Sequence, residues 1–267
     1  MLSLSPVSAR PRWDRLGHAD RFPRGEHGLM TQIVARLPRI ALVTGANKGI
    51  GLETVRRLVE GGFDVYLAAR DPERGRAAAA EVGATAIVLD VGSDKSVADA
   101  VERVRLAEGH LDLLVNNAGI TGPLREVHDY TAADISEVLL TNVAGYVRVM
   151  HAFLPLLEAS RDPRIVNVSS GLGSFALFHD LDRIEATAGT PLYAASKAAI
   201  NMLTVRYARL LPHIRINIAD PGMTATDLSG QRGHSVQEGT DAITGFAFAD
   251  EGGPSGTYRD RDGELPW

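Results

Sequence analysis

The stretch RIALVTGANKGIG, residues 39–51, decides how the rest of the chain is read. Its first half, Arg39–Gly45, is a short apolar run closed by glycine, the pattern of a parallel strand buried on both faces. Beyond the glycines at 45, 49 and 51, the apolar residues Ile50, Leu52, Val55, Leu58 and Val59 are spaced for one face of a helix. Gly61 and Gly62 then break that helix. A strand therefore runs through a glycine-rich turn directly into a helix. Glycine permits the tight turn and lets backbone approach a ligand closely. At the helix start, free N–H groups and the helix dipole favour an anion such as a pyrophosphate.

Outward from this unit the alternation repeats. Strands are expected at Asp64–Arg70, Ala84–Val91, Leu111–Asn116, Arg164–Ser169 and Ile214–Ala219, with helices over about 72–82, 94–107, 131–158 and 192–211. Strict alternation of strand and helix implies a parallel sheet covered by helices on both faces. Right-handed crossovers make it doubly wound, with ligands at the carboxyl ends of the strands. The expected fold class is α/β, a doubly wound parallel sheet forming a single Rossmann-like domain over residues 39–267.

Residues 1–38 read differently. Arg10, Arg12, Arg15, Arg21 and Arg24 are scattered among Pro, Gly and His with neither a helical nor a strand period. The continuous apolar core of a secretory signal is missing, and Asp14, Asp20 and Glu26 count against an Arg-rich organelle leader. The stretch reads as a disordered leader or an upstream mis-start, with a functional segment as the alternative.

The 267 residues carry a formal net charge of −5 and no cysteine. That charge gives no general attraction to nucleic acid or an anionic membrane, and no apolar run approaches the roughly 20 residues that span a bilayer. Without cysteine there are no disulfides, thiolate nucleophiles or Cys-ligated zinc. The histidines are scattered and show no metal-binding spacing, so no metal site is expected. The expected partner is a small molecule, the expected location cytoplasmic, and monomer and homo-oligomer stay equally open.

The glycine spacing is G-x-x-x-G-x-G, which departs from the G-x-G-x-x-G dinucleotide fingerprint. Thr44-Gly45-x-x-x-Gly49-x-Gly51 resembles the short-chain dehydrogenase/reductase family. The resemblance continues with Asp90 ending the third strand and Asn116-Asn117-Ala118-Gly119 ending the fourth. Asn142 follows within the long helix, Ser169-Ser170 ends the fifth strand, and Tyr193-Ala-Ala-Ser-Lys197 opens the next helix. Pro221-Gly222 with Thr226 closes the series. It covers about residues 39–267 in the family's order. The Gly45-Ala-Asn-Lys-Gly-Ile-Gly51 loop and the Pro-Trp end resemble the carbonyl-reductase-like branch.

The resemblance implies hydride transfer between NADP(H) and a carbonyl or alcohol substrate, with Asn142, Ser170, Tyr193 and Lys197 as catalytic residues. Tyr193 and Lys197 are spaced i,i+4, on one helix face. A phenol with a pKa of about 10 exchanges its proton poorly at neutral pH, and a neighbouring cation together with an oxidised nicotinamide is expected to lower it. The family makes the tyrosine the general acid in reduction and the base in oxidation. It makes Lys197 the residue that tunes Tyr193 and holds the nicotinamide ribose. Ser170 would hydrogen-bond the substrate oxygen, and Asn142 would hold a relay water against Lys197. The alternative is a non-catalytic NADP(H)-sensing protein, which would need only the nucleotide half of this set.

For the cofactor, the implied contacts are Gly45, Asn47, Lys48, Gly49, Ile50 and Gly51 on the first turn, then Asp90, Val91, Asn117, Ala118 and Gly119. Tyr193, Lys197, Pro221, Gly222 and Thr226 complete them, Thr226 meeting the carboxamide. Asp90 faces the adenine or caps the strand end. Asn116 ties strand edges together and shapes the adenosine side. An NAD site places a carboxylate at the end of the second strand. Here Ala69 occupies that place and Arg70 follows, with Lys48 and Arg74 as further cations, which favours NADP(H). Asp71 is expected to cap the next helix, with Pro72 at its first position.

Ser170 and Tyr193 lie 23 residues apart, further than in compact members of the family, so an inserted segment loops out before Tyr193. Its Phe175, Leu177 and Phe178 either line a substrate mouth or pack the loop down, ahead of an acidic stretch at Asp180–Glu185.

Overall fold

Successive residues of β1 (Arg39–Thr44) serve two different cores. Ile40 and Leu42 enter one apolar cluster with Val97, Ala100 and Val104 of α3 (Asp94–Ala107) and Val149, Phe153 and Leu157 of α5 (Gly145–Glu158). Ala41 and Val43 enter another, with Val55 and Leu58 of α1 (Gly49–Glu60), Ala78 and Ala79 of α2 (Pro72–Val82), and Ile243 and Ala247 of α9 (Asp241–Ala247). The strand period of two thus divides one short apolar run between two helical layers, which is why it carries no polar face. The computed structural model describes residues 38–267; the leader expected over residues 1–38 lies outside them except for Pro38.

β1 pairs in parallel with β2 (Phe63–Ala69) on one side and β4 (Leu113–Asn116) on the other. β3 (Thr85–Val88) extends the first side; β5 (Arg164–Val168), β6 (Arg215–Ala219) and β7 (Tyr258–Arg259) extend the second. The seven-stranded order β3-β2-β1-β4-β5-β6-β7 is parallel throughout. This is the doubly wound α/β sheet expected from the sequence. Its strand order reverses between β1 and β4, so the binding crevice opens at their carboxyl ends.

Several expected boundaries shift for local reasons. β3 stops at Val88, not Val91, so Asp90 and Val91 lie in a turn beyond the strand. There Gly92 N–H donates to Asp90 Oδ1 at 2.9 Å, and Asp90 N–H donates to Ser96 Oγ at 2.9 Å. The helix expected over 131–158 is α4 (Ala132–Leu139), a π-helical turn at Leu140–Ala144, and then α5. Such single π turns are often found at functional sites, and this one contains Asn142. The expectation for Asp71 holds: its side chain accepts from Glu73 N–H and Arg74 N–H, with Pro72 opening α2. β7 pairs with Ile218 and Ala219 of β6 and, at two residues, is too short to show a period in the sequence. Among the described residues no helix is long and apolar enough to cross a membrane.

Candidate active site

The glycine turn is fastened to the end of β4. Thr44 Oγ1 accepts from Asn117 N–H at 3.0 Å and Ala118 N–H at 3.1 Å. In return, Asn117 Nδ2 donates to the carbonyls of Thr44 at 2.9 Å and Gly45 at 3.1 Å. Gly45 has φ +63°, and a Cβ there would lie 2.8 Å from Ala118 Cα. A Cβ on Gly51 would lie 2.5 Å from Asn117 Nδ2 and 2.7 Å from Gly45 O. Backbone thus packs on backbone where the sequence placed nucleotide contacts at Gly45, Gly51, Asn117 and Ala118. Lys48 caps α1 without a side-chain hydrogen bond, so its side chain does not satisfy the first amides of that anion-favouring helix end. Asn47 and Ile50 are half-buried on the same turn.

Across the crevice, the end of β5 meets α7 (Pro191–Leu210). Lys197 is buried, and its Nζ donates to the Val168 carbonyl at 2.8 Å. The same Nζ lies 5.2 Å from the Tyr193 ring centroid and 5.7 Å from that of Tyr146, so both rings flank the ammonium. Burial pushes the Lys197 pKa down to about 7, while the charge of Asp220 opposes the shift. The Tyr193 phenol moves up, first through burial and then through Asp220. Burial thus acts on the phenol against the lowering expected from a cation and an oxidised nicotinamide together.

Ser170 Oγ accepts from Leu172 N–H at 3.3 Å, and the Ser170 carbonyl accepts from Tyr258 Oη at 2.7 Å. Asn142 is wholly buried. Its Oδ1 accepts from Ile120 N–H at 2.9 Å, and its Nδ2 donates to Ile120 O at 2.8 Å and Ser196 Oγ at 2.9 Å. These bonds pin the segment after Gly119 to the helix that carries Tyr193; the side chain of Asn142 makes no direct hydrogen bond to Lys197.

The remaining expected contacts surround the same crevice. Thr226 Cγ2 would lie 3.4 Å from a Cβ on Gly49, so the segment after Pro221-Gly222 folds over the glycine turn. Lys48 Nζ bridges to Asp227 at 2.5 Å across that gap, and both side chains are exposed. Arg70 is exposed just past β2, behind the buried Ala69. Arg74 lies 3.6 Å from Asp71 on the exposed first turn of α2. Val91 packs against Gly145, and its carbonyl accepts from Arg148 at 2.6 Å. Asn116 ties β4 to β5 as expected, donating to Asn167 Oδ1 at 2.9 Å. In the inserted segment Leu177 is buried and packs the loop down, whereas Phe175 and Phe178 remain exposed. Ser174 Oγ donates to the Pro266 carbonyl at 2.7 Å and Ala176 N–H to that of Trp267 at 3.0 Å, so the last residues hold this loop.

Three residues beside the site were not singled out from the sequence: Tyr146, Tyr258 and Asp220. Tyr146 Oη donates to the carbonyl that also accepts from Lys197, that of Val168, at 3.1 Å. Asp220 could have been noticed as an acid directly before Pro221-Gly222, but in a sequence that pattern reads as an ordinary turn. Among the described residues no group of three or more His, Cys, Asp or Glu is placed to hold a metal ion.

Residues 39–237 match the family model for short chain dehydrogenase. The chain belongs to the short-chain dehydrogenase/reductase family and is an oxidoreductase. It is similar to Short-chain dehydrogenase/reductase 1 of Saponaria officinalis, with 33% identity covering 86% of this chain and 96% of the relative. It is also similar to (-)-isopiperitenone reductase of Mentha piperita, with 32% identity covering 87% of this chain and 99% of that one. Among solved structures, NADPH-bound carbonyl reductase from chicken fatty liver matches with a TM-score of 0.75 and 30% identity. That match covers 86% of this chain and 99% of the reductase.

The packing of the glycine turn yields a direct check. Gly45→Ala forces a side chain into left-handed backbone and against Ala118, and should lower the unfolding free energy by at least about 1–3 kcal/mol. Urea unfolding measures it, and wild-type stability in the variant would contradict the close approach of β1 and β4.

Proposed function

We propose that residues 39–267 form an NADP(H)-dependent reductase that moves a hydride between the nicotinamide and a carbonyl or alcohol substrate, with Tyr193 as the proton donor. The observation that carries this reading is the pairing of Tyr193 with Lys197 on one face of α7, the ammonium 5.2 Å from the ring, beside the Ser170 turn. Similarity to an NADPH-bound carbonyl reductase supports the cofactor and the substrate class.

The bound nicotinamide supplies the hydride. The chain's own residues do the rest. Gly45 and Gly51 let the turn pack on the end of β4, and the start of α1 that this turn presents would hold the pyrophosphate. Among the described residues Lys197 has one hydrogen-bond acceptor, the Val168 carbonyl, for the three donors an ammonium carries. Its remaining donors serve the nicotinamide ribose. Ser170 Oγ holds the substrate oxygen, and Tyr193 gives its proton to that oxygen as charge develops there. Burial and Asp220 keep the phenol protonated, the state in which it can donate. Asn142 fixes α7 through Ser196 and carries a relay water toward Lys197.

Tyr193→Phe retains the ring and removes the proton donor. It should bind NADPH as the wild type does and lose several orders of magnitude in turnover on a panel of ketones and aldehydes. Near-wild-type kcat would end this mechanism. Nucleotide binding by the wild type with no turnover of any carbonyl compound would favour the sensing alternative.

The preference for NADP(H) rests on Ala69, which puts no carboxylate against a 2′-phosphate, and on Arg70, Lys48 and Arg74 nearby. Lys48 and Arg74 are engaged in exposed ion pairs with Asp227 and Asp71. Exposed pairs are weak and screened, and a doubly charged phosphate competes well for such cations. NADPH should exceed NADH at least tenfold in kcat/KM, about 1.4 kcal/mol. Ala69→Asp combined with Arg70→Ala should reverse the order. Equal efficiency with both nucleotides in the wild type would contradict the assignment of these cations.

A further inference from the structure

Asp220 follows the last residue of β6, and its side chain is buried, with only 5% of the residue exposed. Among the described residues no Lys, Arg or His forms an ion pair with it. A buried carboxylate without a cation is costly unless its oxygens are hydrogen-bonded. Both oxygens face backbone. Oδ1 accepts from Gly222 N–H at 2.8 Å. The backbone of Gly171 lies against the other oxygen, since a Cβ there would lie 3.1 Å from Oδ2. The backbone of Asp220 is itself fixed, its N–H donating to the Arg259 carbonyl at 2.8 Å. Tyr258, the neighbour of Arg259 on β7, reaches from the same side to the Ser170 carbonyl.

We propose that Asp220 is a positioning residue for the reaction, its two carboxylate oxygens joining the Ser170–Gly171 turn on the substrate side to the Pro221–Gly222 turn on the nicotinamide side. The inference rests on the function proposed above and adds to it the part that sets the distance between the two halves of the site. A side chain at Gly171 would fill the space these groups share, since its Cβ would also lie 2.5 Å from Glu185 Oε1. Glu185 comes from the inserted segment and is held by Arg183 at 3.0 Å. The insertion therefore closes over the same turn.

The charged and titratable groups around Asp220 are Glu185 from the insertion, Asp260 after β7, Tyr258 of β7, and Tyr193 and Lys197 of α7. Burial pushes the Asp220 carboxyl up to about 6, against the pull of the Gly222 and Gly171 amides. Above that pH the carboxylate is charged beside both turns, and its charge favours the protonated forms of Tyr193 and Lys197. Below it, one oxygen carries a proton and the junction weakens.

The first test needs no substrate. In the full-length protein labelled with ¹⁵N-glycine, the Gly171 and Gly222 amide signals should titrate together, with one midpoint near pH 6. Titration of one without the other, or of neither, would overturn the junction. The second test uses Asp220→Asn, whose amide oxygen can still accept from Gly222 while its NH2 opposes the Gly171 N–H. NADPH affinity should stay within about twofold, kcat for carbonyl reduction should fall about tenfold or more, and the acid limb of the kcat profile near pH 6 should vanish. A lowered melting temperature with kcat and pH profile unchanged would reduce Asp220 to a structural residue and sink the proposal. If Asp220→Asn does not fold, the wild-type glycine titration decides alone. If the wild type reduces no carbonyl compound, the proposed function fails while the glycine titration still judges the junction.

Discussion

The hydrogen bond from Lys197 Nζ to the carbonyl of Val168 is the contact on which the rest of the site depends. An ammonium taken out of water is costly, and one carbonyl offsets only part of that cost. The protein supplies the remainder with the faces of Tyr146 and Tyr193 and the field of Asp220. Because Val168 ends β5 and Lys197 lies inside α7, this bond also sets the height of the helix over the strand. Tyr193 lies one helical turn earlier, its ring 5.2 Å from the same Nζ. The result is a basic group pushed down to about 7 next to a phenol pushed up, both with origins in burial.

The opposite wall is built from backbone. Thr44, Gly45 and Gly51 approach Asn117 and Ala118 so closely that side chains are excluded. A nucleotide at that wall would meet amides and carbonyls in fixed positions, and the crevice owes its position to the reversal of strand order between β1 and β4. Asn142 joins the two walls through Ile120 and Ser196, while Asp220 sits between the turns that follow β5 and β6, at Gly171 and Gly222.

Much of this could be read in the sequence because its causes are local. A run such as RIALVTG has one reading as a buried strand, the glycine turn declares itself, and the i,i+4 spacing puts Tyr193 and Lys197 on one face of any helix. The π turn at Leu140–Ala144 escaped because it preserves helical composition and changes only hydrogen-bond register. The third strand was drawn too long because Leu89 and Val91 continue its apolar pattern, while the side chain of Asp90 folds the backbone into a turn. Tyr146, Tyr258 and Asp220 act on residues far away in the chain, and no local pattern reports such contacts. The upward push of burial on Tyr193 is hidden for a similar reason: proximity to Lys197 is visible in the sequence, and burial is not.

The central claim is that this crevice passes a hydride from a reduced nicotinamide to a carbonyl carbon. NADPH carrying deuterium on the transferred position of nicotinamide C4 tests it most directly, with mass spectrometry of the product alcohol as the readout. The account predicts one deuterium on the carbinol carbon, delivered from a single face of the nicotinamide. Bound NADPH that transfers deuterium to no carbonyl compound, or product alcohol formed without the label, would contradict it.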